Sequence, residues 1–114
     1  MSKLGEATFK GKSGTVYTFN VYPCDQTFNE ISAVYIISKR IKNENDGYNH
    51  TVLYVGETEN IPDRFGENFC NHHKGKSFIS HNASAICILQ QNNEKKRLEI
   101  ESDLCSYYNP VCND

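Results

Sequence analysis

The chain has 114 residues, of which 38% are hydrophobic, and a net charge of −2 at neutral pH. This length accommodates one domain with a modest core and is too short for two, so we expect a single domain over residues 1–114. No apolar run approaches the ~20 residues of a membrane span. The five cysteines lack C-x-x-C spacing and fit reduced thiols, which favours the cytoplasm.

The distribution of charge limits the kind of nucleic-acid binding to expect. A protein that binds nucleic acid usually carries a surplus of basic residues. Here the basic residues fall in clusters at 39–42 and 95–97, with histidines and lysines at 72–76 between them. We therefore expect a local basic face at most, and no tight non-specific binding by the domain alone.

The N-terminal part of the chain predicts a β-hairpin. Residues 8–22 contain two segments rich in β-branched and aromatic residues, which are joined by a turn at 11–14 and ended by Pro23. The Gly-Lys-Ser sequence in this turn is not a phosphate-binding loop, because a strand follows it where such a loop requires a helix. A short helix is predicted over residues 25–31, with Asp25 as its cap.

The middle of the chain predicts a second pair of strands and then a helix. Residues 33–38 and 51–56 are apolar runs of strand length with a polar turn between them, which indicates an antiparallel hairpin. Asn60 or Thr58 is placed to cap a helix that runs to about His73. Gly66 is a weak point in that helix, because glycine costs up to ~1 kcal/mol relative to alanine there.

The C-terminal part predicts a third strand and a last helix. The strand covers residues 84–90, and Asn93 caps a helix from Glu94 to about Tyr107, with Pro110 beyond its end. The order hairpin, strand, strand, helix, strand, helix predicts a small α/β sheet layered against helices.

A helical wheel of the last helix places Glu101 in an apolar face. Glu101 lies at about 100° from Ile100, between two groups of apolar residues, whereas Glu99 lies on the opposite, wet side. The two groups are Ile100, Leu104, Tyr107 and Val111, and Leu98 with Cys105. An ionised carboxylate there needs a counter-charge or a cation. A salt bridge to Arg97, one turn earlier, and a metal-binding or catalytic role both stay open.

The predicted first helix has a similar feature. Arg64, Asn68 and His72 form an i, i+4, i+8 row beside the apolar stripe of Ile61, Phe65 and Phe69. An arginine at the edge of such a stripe usually extends its guanidinium into solvent. The functional alternative is a clamp for a phosphate group.

The ends of two predicted strands carry paired tripeptides. Ala33-Val34-Tyr35 and Tyr54-Val55-Gly56 resemble the tripeptides that name the GIY-YIG nuclease family. Further matches follow in order: Thr58 two residues after Gly56, Arg64 ten after Tyr54, and Glu101 with Pro110 nine and Asn113 twelve residues on. The resemblance covers residues 33–113 and leaves residues 1–32 as an N-terminal hairpin extension.

The resemblance implies a fold, a reaction and a cofactor. The fold is α/β (α+β), with a small three-stranded antiparallel sheet flanked by helices, here with an extra N-terminal β-hairpin. The reaction is hydrolysis of DNA phosphodiester bonds by a metal-activated water, with one divalent cation, Mg²⁺ or Mn²⁺. A single carboxylate suits Mg²⁺, which keeps most of its water ligands.

The resemblance also implies residue roles. Glu101 would hold the cation, Tyr35 would act as general base or position the attacking water, and Tyr54 would join that hydrogen-bond network. Arg64 would bind the scissile phosphate. Strand tyrosines that simply pack one face of the sheet remain the structural alternative for Tyr35 and Tyr54.

Three further residues complete the implied site. Gly56 would let the backbone approach the substrate closely. Thr58 would contact the substrate or cap the helix. Asn113 would brace the site or, alternatively, serve only as a turn residue near the terminus.

The chain departs from the family pattern at two places. Ala33 replaces the first glycine of the name motif. Asn68 stands where the family often has a His or Tyr one turn after the arginine, and residues 71–74 look like the family's His segment displaced by a small insertion. We favour His72 over His73 for this role, because His72 shares a helix face with Arg64.

Two alternatives to the nuclease interpretation stay open. His72 and Cys70, with His81 or Cys112, would make a zinc site of irregular spacing. A catalytically idle member that binds DNA or a protein through the same face would also fit the net charge. Specificity for DNA would then come from a homo-oligomer or a partner chain.

Overall fold

The computed structural model describes residues 3–66 and 72–113. These residues form five strands, three α-helices and a C-terminal 3₁₀ turn, Val111–Asn113. The strands are β1 (Gly5–Lys10), β2 (Val16–Pro23), β3 (Ala33–Lys42), β4 (Tyr48–Thr58) and β5 (Ala85–Gln90), and the helices are α1 (Ile61–Phe65), α2 (Gly75–Ser80) and α3 (Glu94–Tyr108). In the described part of the chain, no helix is long and apolar enough to cross a membrane.

All five strands belong to one antiparallel sheet with the order β1-β2-β5-β3-β4. The mixed α/β class is therefore confirmed, but the sheet has five strands where three were expected. The N-terminal hairpin does not stand apart, because residues 20–23 of β2 pair with residues 85–88 of β5. This pairing covers an edge of β5 that would otherwise leave its backbone groups open.

The sheet is covered by apolar residues on both faces. Alternate residues of β3 point to opposite sides, so Tyr35 and Ile37 join one cluster with α1 and α2, while Val34 and Ile36 join another with α3. Burial on both faces explains why β3 begins as a continuous apolar run rather than an alternating pattern. The candidate site lies on the first of these faces.

The expected helix over residues 25–31 is wrong. The chain turns after Pro23, whose carbonyl accepts from the Gln26 N–H, and continues without a helix to Ser32. The Phe28 ring lies against those of Tyr22 and Phe65, at centroid distances of 5.3 and 6.3 Å. A seven-residue helix gains little from its own backbone bonds, so this tertiary contact decides the conformation.

The first predicted helix is also shorter than expected. Helix α1 begins with the side chain of Asn60 accepting from the Asp63 N–H, and it ends at Phe65 rather than at His73. Gly66 follows at φ 63°, with its N–H bonded to the Pro62 carbonyl. Glycine adopts this backbone readily, so the predicted weak point becomes the end of the helix. The expectations for Asn68, Phe69 and Cys70 fall outside the described residues.

The last helix begins where it was predicted. Asn93 caps α3 by accepting from the Lys96 N–H, and Asn109 ends it in the left-handed region at φ 45°. The wheel is correct for Leu104, which is fully buried, but wrong for Leu98 and Tyr107, which are 48% and 50% exposed. The face of α3 that packs on the sheet is therefore narrower than the apolar pattern indicates.

The turn of the N-terminal hairpin is fixed to α3 through Asp103. Its carboxylate accepts from the Ser13 N–H at 2.8 Å, the Ser13 hydroxyl at 2.7 Å and the Tyr17 hydroxyl at 2.7 Å. A side chain at Gly11 would collide with this carboxylate, so the close approach requires a glycine. The hydrogen bonds from Ser13 and then Tyr17 lower the pKa of Asp103.

We predict that Asp103→Asn lowers the melting temperature at pH 7, because an amide offers one acceptor oxygen where the carboxylate uses two. A carboxyl with a lowered pKa stabilises the fold above its unfolded value of about 3.9 and loses that effect as the pH falls. The difference from wild type should therefore shrink below about pH 4 in a calorimetric series. Asp46→Asn is the control, because Asp46 is an exposed residue at φ 62°, a conformation that asparagine tolerates. Equal effects of the two substitutions would contradict the role of Asp103.

Candidate active site

Side chains from β3, β4 and the segment before α2 form a hydrogen-bonded aromatic cluster. The Tyr35 hydroxyl lies 2.7 Å from Nε2 of His72. The ring of Tyr54 stacks beside that of Tyr35 at 5.9 Å and meets His72 edge-on at 5.0 Å. His73 stacks on the outer side of His72 at 4.8 Å. Of the two histidines considered, His72 is therefore the one whose ring reaches Tyr35.

The hydrogen bonds of His72 fix its tautomer. The Lys74 backbone N–H donates to Nδ1 at 3.0 Å, so the ring proton of the neutral imidazole lies on Nε2. Nε2–H then donates to the Tyr35 hydroxyl oxygen, and the Tyr35 proton is directed elsewhere. Burial raises the pKa of both tyrosines; the neighbouring Tyr54 raises that of Tyr35 further, whereas Tyr35 lowers that of Tyr54.

Burial controls the protonation of this cluster. It lowers the pKa of His72 to about 4, with His73, Arg64 and Lys74 adding to the effect. It also raises the pKa of Tyr35 well above its usual value, although Arg64 opposes the shift. The lowering effect of Arg64 on the pKa of Tyr35 is thus outweighed by the loss of solvent around a residue that is 0% exposed.

Gly56 makes room for the two tyrosine rings. A Cβ atom at this position would lie 2.5 Å from the Tyr35 hydroxyl oxygen and 2.8 Å from Cε2 of Tyr54. Tyr35 pairs directly with Gly56 across the β3–β4 ladder, so its ring lies over the glycine. The space above Gly56 was expected to receive substrate, but it is filled by these rings.

Arg64 lies at the border of the cluster. It occupies the last turn of α1 and is partly buried, and its guanidinium makes no hydrogen bond or ion pair with any residue of 3–66 or 72–113. Burial is the main influence on the pKa values of Tyr54 and Glu101, and Arg64 lowers both. The sequence-predicted Arg64 is therefore brought to the tyrosine pair with its positive charge uncommitted within the described chain.

Glu101 faces the same region from α3. It is partly buried, whereas Glu99 is exposed, as the wheel predicted. Burial and then the neighbouring Glu57 raise the pKa of Glu101, while Arg64 and the Glu57 backbone lower it. The salt bridge considered between Glu101 and Arg97 is not formed, because Arg97 pairs with Glu57 at 2.8 Å.

Asn113 attaches the C-terminal 3₁₀ turn to β4. Its side-chain oxygen accepts from the Val55 N–H and its amide group donates to the Val55 carbonyl, both at 2.9 Å. These two bonds satisfy the backbone of Val55 between Tyr54 and Gly56. The residue thus braces the strand that carries half of the tyrosine pair.

Thr58 forms part of the turn before α1. It is 7% exposed, its hydroxyl donates to the Asn60 carbonyl, and it accepts from the Asn60 N–H, both at 3.2 Å. Asn60 is the helix cap, so of the two candidates considered for that position the structure selects Asn60. Thr58 supports the cap and also lines a groove beside Arg64.

The zinc alternative receives no support from the residues that can be assessed. Cys112 lies 3.8 Å from Nδ1 of His81 and accepts from the Ser77 hydroxyl at 3.2 Å, but His72 is hydrogen-bonded to Tyr35 and Lys74 instead. Across residues 3–66 and 72–113, no three His, Cys, Asp or Glu side chains are grouped to hold a metal ion. Cys70 lies outside the described residues.

The sequence did not single out Glu57, and it offered Glu101 rather than Glu57 as the partner of Arg97. Glu57 follows the second tripeptide directly and lies between Arg97 and Glu101, and Arg97 is 2% exposed. A charged residue immediately after a buried strand segment is too common to single out. Its pairing with Arg97, forty positions later, depends on how α3 packs.

Comparisons with protein-family models, with curated proteins and with solved structures found no match.

We predict that His72 makes the fold sensitive to acid between pH 6.5 and 4. A histidine has a pKa of about 6.5 when unfolded, and burial lowers that of His72 to about 4. In this window the unfolded chain binds more protons, so the free energy of unfolding falls as the pH falls, by at most ~1.4 kcal/mol per pH unit. Above pH 6.5 the full stabilisation is present.

Urea unfolding of wild type and His72→Gln from pH 8 to 4 measures this effect. Glutamine places a donor near the Nε2 position without titrating, so its curve should fall less steeply between pH 6.5 and 4. Parallel curves would show that His72 titrates normally in the fold.

Proposed function

We propose that the chain is a GIY-YIG-type endonuclease that hydrolyses DNA phosphodiester bonds with one divalent metal ion. The observation that carries the proposal is the juxtaposition of Arg64 and Glu101 beside the Tyr35–Tyr54 pair. Neither charged group has an ion-pair partner in the described chain. A partly buried cation and anion left uncommitted at one place are costly for folding and suit an anionic substrate with a cation.

The residues present fit Mg²⁺ or Mn²⁺. Glu101 would hold the ion, and Glu57 contributes a second negative charge nearby. Mg²⁺ takes few protein ligands and keeps several waters, so a site with one carboxylate is sufficient for it. When bound, such an ion lowers the pKa of a water molecule and offsets the charge of a phosphate.

Arg64 would bind the scissile phosphate. A guanidinium offers two parallel donors to phosphate oxygens, which fixes the orientation of the group as well as its charge. Its partly buried position strengthens this interaction relative to one in bulk water. The same charge would stabilise the phosphate further as negative charge grows on it during hydrolysis.

Tyr35 and Tyr54 would have different roles in proton transfer. Tyr35 is 0% exposed and its hydroxyl is hydrogen-bonded to His72, whereas Tyr54 is 8% exposed and is the more accessible of the two residues. We therefore assign proton acceptance from the attacking water to Tyr54, and the orientation of Tyr54 to Tyr35 and His72. The Tyr35 hydroxyl and Arg64 both favour the Tyr54 phenolate, which moves its pKa back towards its ordinary value.

A second candidate function is a binding module without catalysis. A groove of about 350 Å³ next to Arg64 is lined partly by four acidic residues, Glu57, Glu59, Asp63 and Glu94. This acidic wall opposes a DNA backbone unless cations intervene. A partner chain or a second copy would then supply the contacts that recruit DNA. Mg²⁺-dependent nicking of plasmid DNA by the wild-type chain distinguishes the two functions.

We predict that Glu101→Gln lowers the rate of Mg²⁺-dependent plasmid nicking at least about 100-fold, because the amide cannot offset the charge of the cation. The melting temperature should change little. Glu99→Gln is the matched control, since Glu99 is an exposed carboxylate on the same helix. Comparable losses from both variants would contradict the assignment of Glu101.

We predict that Tyr54→Phe costs more activity than Tyr35→Phe. Removing the hydroxyl that accepts the proton should cost about 10²- to 10⁴-fold in rate, and removing the one that orients it about 10- to 100-fold. Both changes keep the ring and its packing. Wild-type cleavage should rise with pH above neutrality and then level off, because the phenolate is the active form.

The order of the two tyrosine variants in a single-turnover assay decides the assignment. A larger loss in Tyr35→Phe would return the base to Tyr35. Retention of activity in both tyrosine variants, with loss in His72→Gln, would assign the base to the histidine.

A further inference from the structure

We propose that the buried ion pair between Arg97 and Glu57 is a positioning device that sets the carboxylate of Glu101 against the tyrosine pair. The proposal rests on the proposed function, in which Glu101 is the residue that holds the cation. It adds two residues to the site, neither of which touches the reacting atoms.

Arg97 of α3 and Glu57 of β4 form a buried ion pair. Nε of Arg97 donates to Oε1 of Glu57 at 2.8 Å, and Nη1 donates to the Gln91 carbonyl at 3.1 Å. The side chain of Arg97 is 3% exposed and that of Glu57 is 20% exposed. Arg97 therefore links the end of β4 to the turn before α3 through one rigid, planar group.

Glu57 lies at the end of β4, one residue before the strand ends at Thr58. In the sheet, β4 has β3 on one side only, so its other edge faces α3. Val55 directs its N–H to this outer edge, where Asn113 accepts it, and Glu57 is two residues further on and directs its N–H the same way. The Glu57 backbone lowers the pKa of Glu101, as an N–H directed towards a carboxylate does.

The two residues that Glu57 approaches, Arg97 and Glu101, both belong to α3. Arg97 and Glu101 are four residues apart on α3, so their side chains project from the same face one turn apart. Glu57 bonds the first through its carboxylate and directs its backbone N–H towards the second. One residue of β4 thus holds α3 at two successive turns, which fixes both the rotation of the helix and its position along the strand.

Stability alone does not explain the pair. Burying two charges costs several kcal/mol in desolvation, and such pairs are often replaceable by apolar residues without loss of stability. Their best-attested use is to select one register among several. The narrow packing face of α3, with Leu98 exposed, provides few apolar contacts that would set the register otherwise.

The test compares Arg97→Lys with Arg40→Lys in the full chain. Lysine keeps the charge at position 97 but replaces the planar guanidinium, whose Nε and Nη1 bond Glu57 and Gln91, by a single nitrogen on a flexible chain. Arg40 is the control, because it stacks on Tyr48 near the far end of β4. The readouts are Mn²⁺ binding by electron paramagnetic resonance and hydrogen exchange of the Glu57 amide. Should Arg97→Lys fail to fold, Glu57→Gln is measured instead, since it keeps the shape of the side chain.

We expect Arg97→Lys to weaken Mn²⁺ binding about ten-fold or more, as removal of groups that orient a ligand usually does. The Glu57 amide should exchange faster by a similar factor, while the Val55 amide, which Asn113 covers, keeps its protection. Arg40→Lys should match wild type within about two-fold in both readouts.

The possible outcomes separate this proposal from the proposed function. Unchanged Mn²⁺ binding together with unchanged Glu57 exchange would overturn the positioning role. Equal acceleration at Glu57 and Val55 would also overturn it, because that result reports only a general loss of stability. If the wild type binds no Mn²⁺ and cuts no DNA while Arg97→Lys still exposes the Glu57 amide selectively, the proposed function fails and the positioning of Glu101 stands.

Discussion

The outer edge of β4 is the constraint on which the site depends. A strand at the edge of a sheet leaves every second N–H and C=O without a partner, and burial makes such groups costly. Here α3 and the 3₁₀ turn after it supply side chains in place of another strand: Asn113 pairs with both backbone groups of Val55, and the carboxylate of Glu101 lies where the Glu57 backbone lowers its pKa. The need to satisfy this edge brings the C-terminal helix to the tyrosines.

The same edge explains how the carboxylate of Glu101 would serve both the fold and a bound cation. Glu101 has two oxygens and about four lone-pair directions, so accepting one backbone N–H leaves capacity for a cation or a water. Its interaction with Glu57 holds the group in place before any ligand arrives. Preorganised charge of this kind contributes more to hydrolysis than charge that must move into position, because little reorganisation remains at the moment of reaction.

On the face of β4 that packs against α1 and α2, burial determines the protonation states of the tyrosines and His72. Gly56 admits the rings of Tyr35 and Tyr54 side by side, and His72 closes the cluster from the segment before α2. Full burial keeps Tyr35 protonated and His72 neutral near pH 7. The direction of the hydrogen bonds, from Lys74 to His72 and from His72 to Tyr35, then follows from one backbone N–H.

Local patterns predicted most of the strands and the start of the last helix. The apolar runs of β3, β4 and β5 and the cap at Asn93 were readable from residue type, because each depends on neighbours in sequence. The absence of a helix before β3 was not, since the ring contacts of Phe28 decide it. The five-stranded sheet was not either, because the pairing of β2 with β5 joins segments about sixty residues apart.

In the candidate site too, features that depend on one element were predictable from the sequence, and features that depend on contacts between elements were not. The wheel placed Glu101 correctly against Glu99, since one helix suffices for that argument. Of the two alternatives left open for Glu101, the salt bridge to Arg97 is wrong, because the competing Glu57 lies on another element. The roles of Gly56 and of the Tyr35 proton likewise depend on contacts between strands, which spacing along the chain does not encode.

We propose above all that a cation binds at Glu101, where α3 meets the outer edge of β4. Paramagnetic broadening of amide resonances by substoichiometric Mn²⁺, mapped on uniformly ¹⁵N-labelled wild-type chain, measures this location without requiring catalysis. The account predicts that broadening centres on the amides of Glu57 and Glu101 and extends to Tyr54. Broadening centred instead on the exposed carboxylates of Glu44 and Asp46, with Glu57 and Glu101 unaffected, would contradict it.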